Sequence, residues 1–247
     1  NTRTGANSSV TSSQSIVFIG DSPLHIACQK KCLLTVKKLV EELTNLSPKN
    51  RFGQTPLHVC VNKEALEITK FLLRYRSTDV DSQDALGQTA LMVCCQRKNA
   101  LIAQELLKAK ARHDLTDHLG NMAIHIASSV GAAACLNVLI SAGSCINVVN
   151  YQNETPLFLA AKHNNLLIIK KILKCKPHVD ITSLSGLSAE GVALMSVELI
   201  QEYLRDWYQV RKFLQRIELY EGDKKIHPQR KRKNLRKEQL EGKDIQG

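Results

Sequence analysis

Gly53-Gln54-Thr55-Pro56-Leu57-His58 decides how this chain is read, because the same spelling returns at a fixed interval. It stands 33 residues earlier as Gly20-Asp21-Ser22-Pro23-Leu24-His25, and 34 residues later as Gly87-Gln88-Thr89-Ala90-Leu91-Met92. Further copies open at Gly120 (Gly-Asn-Met-Ala-Ile-His), at Asn153 (Asn-Glu-Thr-Pro-Leu-Phe) and, in degenerate form, at Gly186. Six starts on one period imply a chain assembled from repeated units, each too small to bury its apolar faces alone.

The chemistry of one unit explains its spelling. Thr55 is expected to cap a first helix by accepting a hydrogen bond from an N–H of its first turn. Pro56 follows where a missing N–H is harmless. Leu57, Val59, Cys60 and Val61 supply that helix with an apolar surface, and Leu66, Ile68, Phe71, Leu72 and Leu73 give a second helix a broad apolar stripe. The glycine that opens each unit permits a positive φ in a hairpin turn. His25, His58 and His125 recur with the period, which makes them structural residues bonding one repeat to the next rather than catalytic ones.

This period and this signature are those of ankyrin repeats. The expected fold class is therefore an all-α repeat solenoid, an ankyrin-repeat stack with six recognisable starts and a long C-terminal capping helix. Residues 1–19 form a polar segment or a degenerate first repeat, and 20–206 the ankyrin-repeat domain. Residues 207–222 extend the capping helix, whose stripe is Leu199, Tyr203, Trp207, Val210, Leu214 and Ile217, and 223–247 are a basic flexible tail.

Composition narrows the function classes. Aromatic residues make up only 4% of the chain against 43% hydrophobic residues, so the core must be aliphatic. No run of 18 apolar residues is present to span a bilayer, and Asn1–Gln14 lacks the apolar segment of a signal peptide. A start at Asn1 implies a fragment of a longer protein. The eight cysteines include no C-x-x-C pair, and most stand in apolar positions, as expected of buried thiols in a reducing compartment. The net charge of +11 is densest at Arg230-Lys231-Arg232-Lys233, where no aromatic side chains interleave to stack on bases.

No chemistry of an enzyme is visible: there is no Ser/His/Asp arrangement, phosphate loop or nucleophile elbow. His113-Asp114 and Asp117-His118 fall in a hairpin, with no converging partner for a metal. No cofactor is expected. What the repeat offers instead is a surface, lined by positions one or two residues before each repeat glycine, one after it, and nine or ten after it. These are Arg51, Phe52, Gln54, Asn62 and Lys63 in the second unit, and Leu86, Gln88, Gln96 and Arg97 in the third. Leu119 follows in the fourth, and Tyr151, Glu154, Lys162 and His163 in the fifth. Phe52, Leu86, Leu119 and Tyr151 set an apolar group on four consecutive hairpins, edged by Lys and Arg, which reads as a partner groove.

Some stretches are more particular. Arg76-Ser77-Thr78-Asp79-Val80-Asp81, before a Gly-Gln-Thr-Ala-Leu unit, resembles the lengthened third repeat of Notch receptors. Asn153-Glu154-Thr155-Pro156-Leu157-Phe158-Leu159-Ala160-Ala161-Lys162, with Val179-Asp180-Ile181-Thr182 later, is similar to the sixth, and Val197-Glu198-Leu199-Ile200-Gln201-Glu202-Tyr203-Leu204 to the close of the seventh. The likeness covers about residues 20–206, and its cysteine-rich spelling is nearest the nematode Notch-type receptors. It implies a segment released from a single-pass membrane receptor that enters the nucleus and binds a CSL-type DNA-binding factor. Stack and factor together would hold a helix of a Mastermind-type co-activator and switch on transcription, touching DNA only through the complex.

The chain departs from that pattern in three places. The upstream extension that tethers CSL factors is missing unless residues 1–19 are its remnant, and the family's first repeat is not recognisable. The helix through Trp207 and the Arg230–Lys233 run, read as a nuclear-import signal, extend beyond it. The same stack suits an IκB-like inhibitor that masks a Rel-type factor, but that family carries an acidic tail where this one is basic. A substrate-recruiting module of a larger enzyme is the third class open to such a stack.

Overall fold

The computed structural model describes residues 20–175, 177, 181–189 and 209. The proposed capping helix apart from Gln209, the segment 1–19 and the basic run Arg230–Lys233 lie outside the described residues.

Five helix pairs fill the described region. They are α1 (Pro23–Gln29) with α2 (Leu33–Glu42), α3 (Pro56–Asn62) with α4 (Leu66–Leu72), and α5 (Ala90–Gln96) with α6 (Ala100–Lys108). α7 (Ala123–Val130) then pairs with α8 (Ala133–Ser141), and α9 (Pro156–Lys162) with α10 (Leu166–Lys174). The odd-numbered helices pack on one another as an inner layer, and the even-numbered helices as an outer one. The sixth start also forms its turn, with Gly186 at φ 75° and the Ser183 N–H bonded to the Leu187 carbonyl at 2.8 Å. The chain is thus an all-α ankyrin solenoid in its described part, as the period dictates.

Each inner helix ends the same way. Lys31, Glu64, Lys98, Gly131 and Asn164 adopt positive φ, and the next N–H reaches back to a carbonyl of the last turn, as Ala65 does to Cys60 at 2.9 Å. This Schellman ending satisfies the orphan carbonyls and reverses the chain into the outer helix. Between the layers the core is aliphatic and continuous: Leu57, Leu91, Ile124 and Leu157 from the inner helices meet Ile102, Leu106, Leu136 and Ile168 from the outer ones. The first repeat closes on the second through Leu24, Val36, Ile68 and Leu72.

All eight cysteines are free thiols; Cys28, Cys60, Cys94, Cys95 and Cys135 are buried, while Cys32, Cys145 and Cys175 are exposed. Hydrogen bonding with Cys135, together with burial, pushes the Cys94 and Cys95 thiols well up. Burial and the neighbouring Cys28 do the same to Cys60. These sulfurs remain protonated and pack as small hydrophobes.

The recurring histidines join the repeats from inside. The Thr55 N–H donates to Nδ1 of His58 at 3.2 Å, so the ring carries its proton on Nε2, which donates to the Gln88 carbonyl at 3.0 Å. His25 does the same from the Ser22 N–H to the Gln54 carbonyl, and His125 from the Met122 N–H to the Val148 carbonyl. The Thr55 hydroxyl meets the His58 ring at 2.8 Å and forms a capping box with the first turn of α3, as its sequence position suggests. Ser22 likewise accepts from the His25 N–H at 3.4 Å while meeting the His25 ring. Where the histidine is replaced, Thr89 accepts from the Met92 N–H at 3.3 Å, and Thr155 from the Phe158 N–H at 3.1 Å.

Candidate functional site: the inner face of the stack

Hairpins are built by one residue three places before each repeat start. Asn50 accepts from the Phe52 and Gln54 N–H groups at 3.0 Å through its side-chain oxygen, and Asp84, Asp117 and Asn150 repeat this in their own turns. Successive turns then bond backbone to backbone: Ala85 N–H to the Phe52 carbonyl at 2.9 Å, His118 to Leu86 at 3.1 Å, and Tyr151 to Leu119 at 3.1 Å. The ladder fixes which side chains share a row.

Phe52, Leu86 and Leu119 stand in one row, each immediately before its glycine and each exposed. Tyr151 does not continue that row. It stands two residues before Asn153, where Gln152 holds the equivalent place, and its ring lies over Gly120 of the preceding turn. His118 lies in the same way over Gly87. The spacing rule admitted either of two positions before the glycine, and only the hairpin ladder separates them.

Other expected contact residues engage one another. The Arg97 Nε donates to the Asn62 side-chain oxygen at 2.8 Å across two repeats. Glu154 is buried, 5% exposed, with Lys162 at 2.9 Å from one oxygen and the Asn150 amide at 3.0 Å from the other. It stands in the wall of a notch between the fourth and fifth repeats. Arg51, Lys63, Gln96, Arg97 and His163 are exposed, and Gln54 and Gln88 are half-buried with their carbonyls accepting from the histidines of the preceding repeats.

Between hairpins and inner helices runs an aliphatic floor, of which Val59 alone counts among the residues expected to supply a helix with apolar surface. Ile26, Val59, Val93, Ile126 and Leu159 occupy one position per repeat. Ile26 is 44% exposed and Val59 half-buried, whereas Val93, Ile126 and Leu159 are 7% exposed. The signal was present as an aliphatic residue after every histidine slot, but an aliphatic residue on a helix is read as core by default. The groove deepens into a notch of about 220 Å³ between the fourth and fifth repeats, lined by Leu119, Asn121, Ile126, Gln152, Leu159 and His163. A smaller notch, about 60 Å³, lies between Asn50, Gln54, Val59 and Lys63.

The residues that resembled metal ligands are used by the fold. Asp114 pairs with Arg112 at 2.9 Å, Asp117 accepts from the Leu119 and Asn121 N–H groups, and His118 packs on Gly87. No His/Cys/Asp/Glu group among the described residues has the arrangement of a metal site. Nor is any described helix long and apolar enough to cross a membrane.

Three copies of the model for ankyrin repeats match residues 7–84, 24–117 and 91–183. The chain belongs to the ankyrin-repeat family. These repeats are protein-interaction scaffolds, which agrees with an open inner face. Among relatives, the chain is 31% identical over 169 residues to human transient receptor potential cation channel subfamily A member 1, covering 65% of this chain and 15% of that protein. It is 30% identical over 141 residues to neurogenic locus notch homolog protein 1 of Homo sapiens and of Xenopus tropicalis, covering 57% of this chain and 6% of each. The chain thus spans only a small part of these relatives. The crystal structure of the ankyrin repeat domain of Bcl-3, described as a member of the IkappaB protein family, superposes with a TM-score of 0.66 at 26% identity, over 71% of this chain and 80% of that one.

Proposed function

We propose that the chain is the ankyrin domain of a Notch-type receptor's intracellular region, a scaffold that binds a CSL-type DNA-binding factor and recruits a Mastermind-type co-activator. The observation that carries this reading is the 30% identity to Notch homologues over 141 residues, added to the Notch-like spelling at Arg76–Asp81 and Asn153–Lys162. The inner face suits it: a row of exposed tips, an aliphatic floor and a cationic edge form a groove for another chain. Under this reading the fragment acts in the nucleus after release from the membrane, with Arg230–Lys233 as its import signal. Changing those four residues to Ala leaves the fragment cytoplasmic; unchanged nuclear accumulation removes the import role.

One observation favours a second reading. The likeness to Bcl-3 fits an IκB-like inhibitor that masks a Rel-type factor. Reconstitution separates the two. The chain, at high concentration, is mixed with a CSL factor on DNA with and without a Mastermind helix, and gel mobility is followed. A supershift that needs both proteins supports the Notch reading. Loss of a Rel factor from its DNA supports the inhibitor.

A further inference from the structure

One edge of the inner face carries a row of cations that the described fold does not use for ion pairs. Lys30, Lys63 and Arg97 occupy the same place in successive repeats, at the C-caps of α1, α3 and α5. All three are exposed, and the ion pairs among the described residues involve other side chains. A single cation at each helix C-terminus complements the helix dipole. Here Lys31 and Lys98 add a second one, at φ 54° and 57°, a backbone conformation that the fourth repeat gives to Gly131. Left-handed backbone disfavours a lysine, so helix-end stabilisation alone does not explain this doubling.

The carboxylates of the same face are occupied. Asp21 accepts from the Asn50 amide at 2.9 Å, Asp84 accepts from two backbone N–H groups of its own turn, and Glu154 is buried against Lys162. Glu64, beside Lys63, is the exposed exception. The Asn62 bond to Arg97 Nε fixes that guanidinium while its two terminal nitrogens remain for a bidentate acceptor. Immediately beside the cations lies the least covered part of the aliphatic floor, Ile26 and Val59.

From charge complementarity we infer that the inner face of the first three repeats binds an acidic peptide segment carrying aliphatic side chains. Its carboxylates pair with Lys30, Lys63 and Arg97, and its aliphatic groups sit on Ile26 and Val59. The inference rests on the reading of the inner face as a partner surface and names the chemistry of the partner. Packed helices lie about 8–10 Å apart, so the cations recur once per roughly three residues of extended chain at about 3.3 Å each, or roughly six residues of helix at about 1.5 Å each. In a polyproline II conformation every third side chain faces the same way at about 3.1 Å per residue. A peptide with Glu at every third position therefore presents one carboxylate to each cation. Nucleic acid fits less well, because aliphatic groups rather than stacking aromatics flank the cations.

The test is a fluorescence-anisotropy titration of the full chain with a labelled 20-residue peptide, Glu at every third position and Leu or Ala between. A matched peptide carries Gln for Glu, and a DNA duplex serves as rival ligand. The Glu peptide is expected to bind about tenfold or more tightly than the Gln peptide. K63A/R97A should reduce its affinity by about tenfold, with the urea midpoint unchanged, while the outer-helix control K38A/K174A should not. Equal binding of the Gln peptide, equal loss in the control variant, or preferential binding of the duplex overturns the inference. If K63A/R97A abolishes the CSL–Mastermind supershift but no Glu peptide binds, the partner surface stands and its acidic specificity fails. If the Glu peptide binds as expected and no supershift forms, the specificity stands and the Notch reading fails.

Discussion

Nε2 of His58 in the second repeat lies 3.0 Å from the carbonyl oxygen of Gln88 in the third, both held by a ring that is only 1% exposed. One side chain thereby closes its own helix through Nδ1 and fastens the neighbouring turn through Nε2. His58→Ala leaves the Thr55 N–H and the Gln88 carbonyl without their partner and opens a cavity beside them. Unsatisfied buried groups cost about 1–3 kcal/mol each, so a loss of about 2–4 kcal/mol is expected in urea unfolding. An unchanged midpoint contradicts the bridging role.

Acid should weaken the same joints. Burial holds the His58 and His125 rings below the ordinary histidine value, mainly by disfavouring the charged form. Protonation would also fill the Nδ1 acceptor that receives the Thr55 or Met122 N–H. Between the lowered folded values and the unfolded value of about 6.5, the unfolded chain binds more protons, so stability rises with pH there. The contribution is complete above about 6.5 and is lost as the pH falls through the folded values. Urea midpoints measured from pH 7.5 down to 5 should fall, and His58→Ala should flatten the fall. A midpoint that rises toward pH 5 contradicts this assignment.

Two turn glycines separate backbone strain from close packing. A Cβ on Gly120, at φ 78°, would stand 2.6 Å from the Tyr151 ring and 2.7 Å from the Tyr151 backbone nitrogen. A Cβ on Gly186, at φ 75°, would meet no described residue within 4 Å. Gly186→Ala therefore incurs the left-handed strain alone, about 1 kcal/mol. Gly120→Ala must also displace the neighbouring hairpin and should cost about 2–3 kcal/mol or more. Equal losses in calorimetry would show that the turns do not pack as described.

Glu154 should behave as a structural residue although its sequence position is that of a groove residue. Removing it takes one of the two acceptors of the Asn150 amide, which keeps the Asn121 side-chain oxygen, and releases Lys162, whose ammonium then returns to water. Glu154→Ala is expected to cost about 1–3 kcal/mol of stability, whereas Lys162→Ala should cost more, because it leaves the buried Glu154 carboxylate without its cation. Chemical denaturation of the two variants gives the order directly, and the reverse order would contradict it.

These cases show what periodic spelling conveys. The histidine bridges and turn glycines were legible because the same residue recurs wherever the same backbone environment recurs. The cap at Thr55 was legible for the same reason, and only its added contact with the His58 ring emerges in three dimensions. Val59 was hidden: a β-branched residue on a short helix reads as core, and only its place in the notch with Gln54 and Lys63 leaves it half-covered. Glu154 and Tyr151 share groove positions by count, yet Lys162 holds Glu154 in the fold while Tyr151 stays 70% exposed with one edge over Gly120.

The central claim is that this scaffold works through its inner face. The measurement closest to it is the CSL–DNA–Mastermind gel shift repeated with K63A/R97A, alongside urea unfolding of the same protein. The account predicts assembly weakened by about tenfold with an unchanged unfolding midpoint. Full assembly by a variant with both cations removed would place the partner surface elsewhere on the molecule.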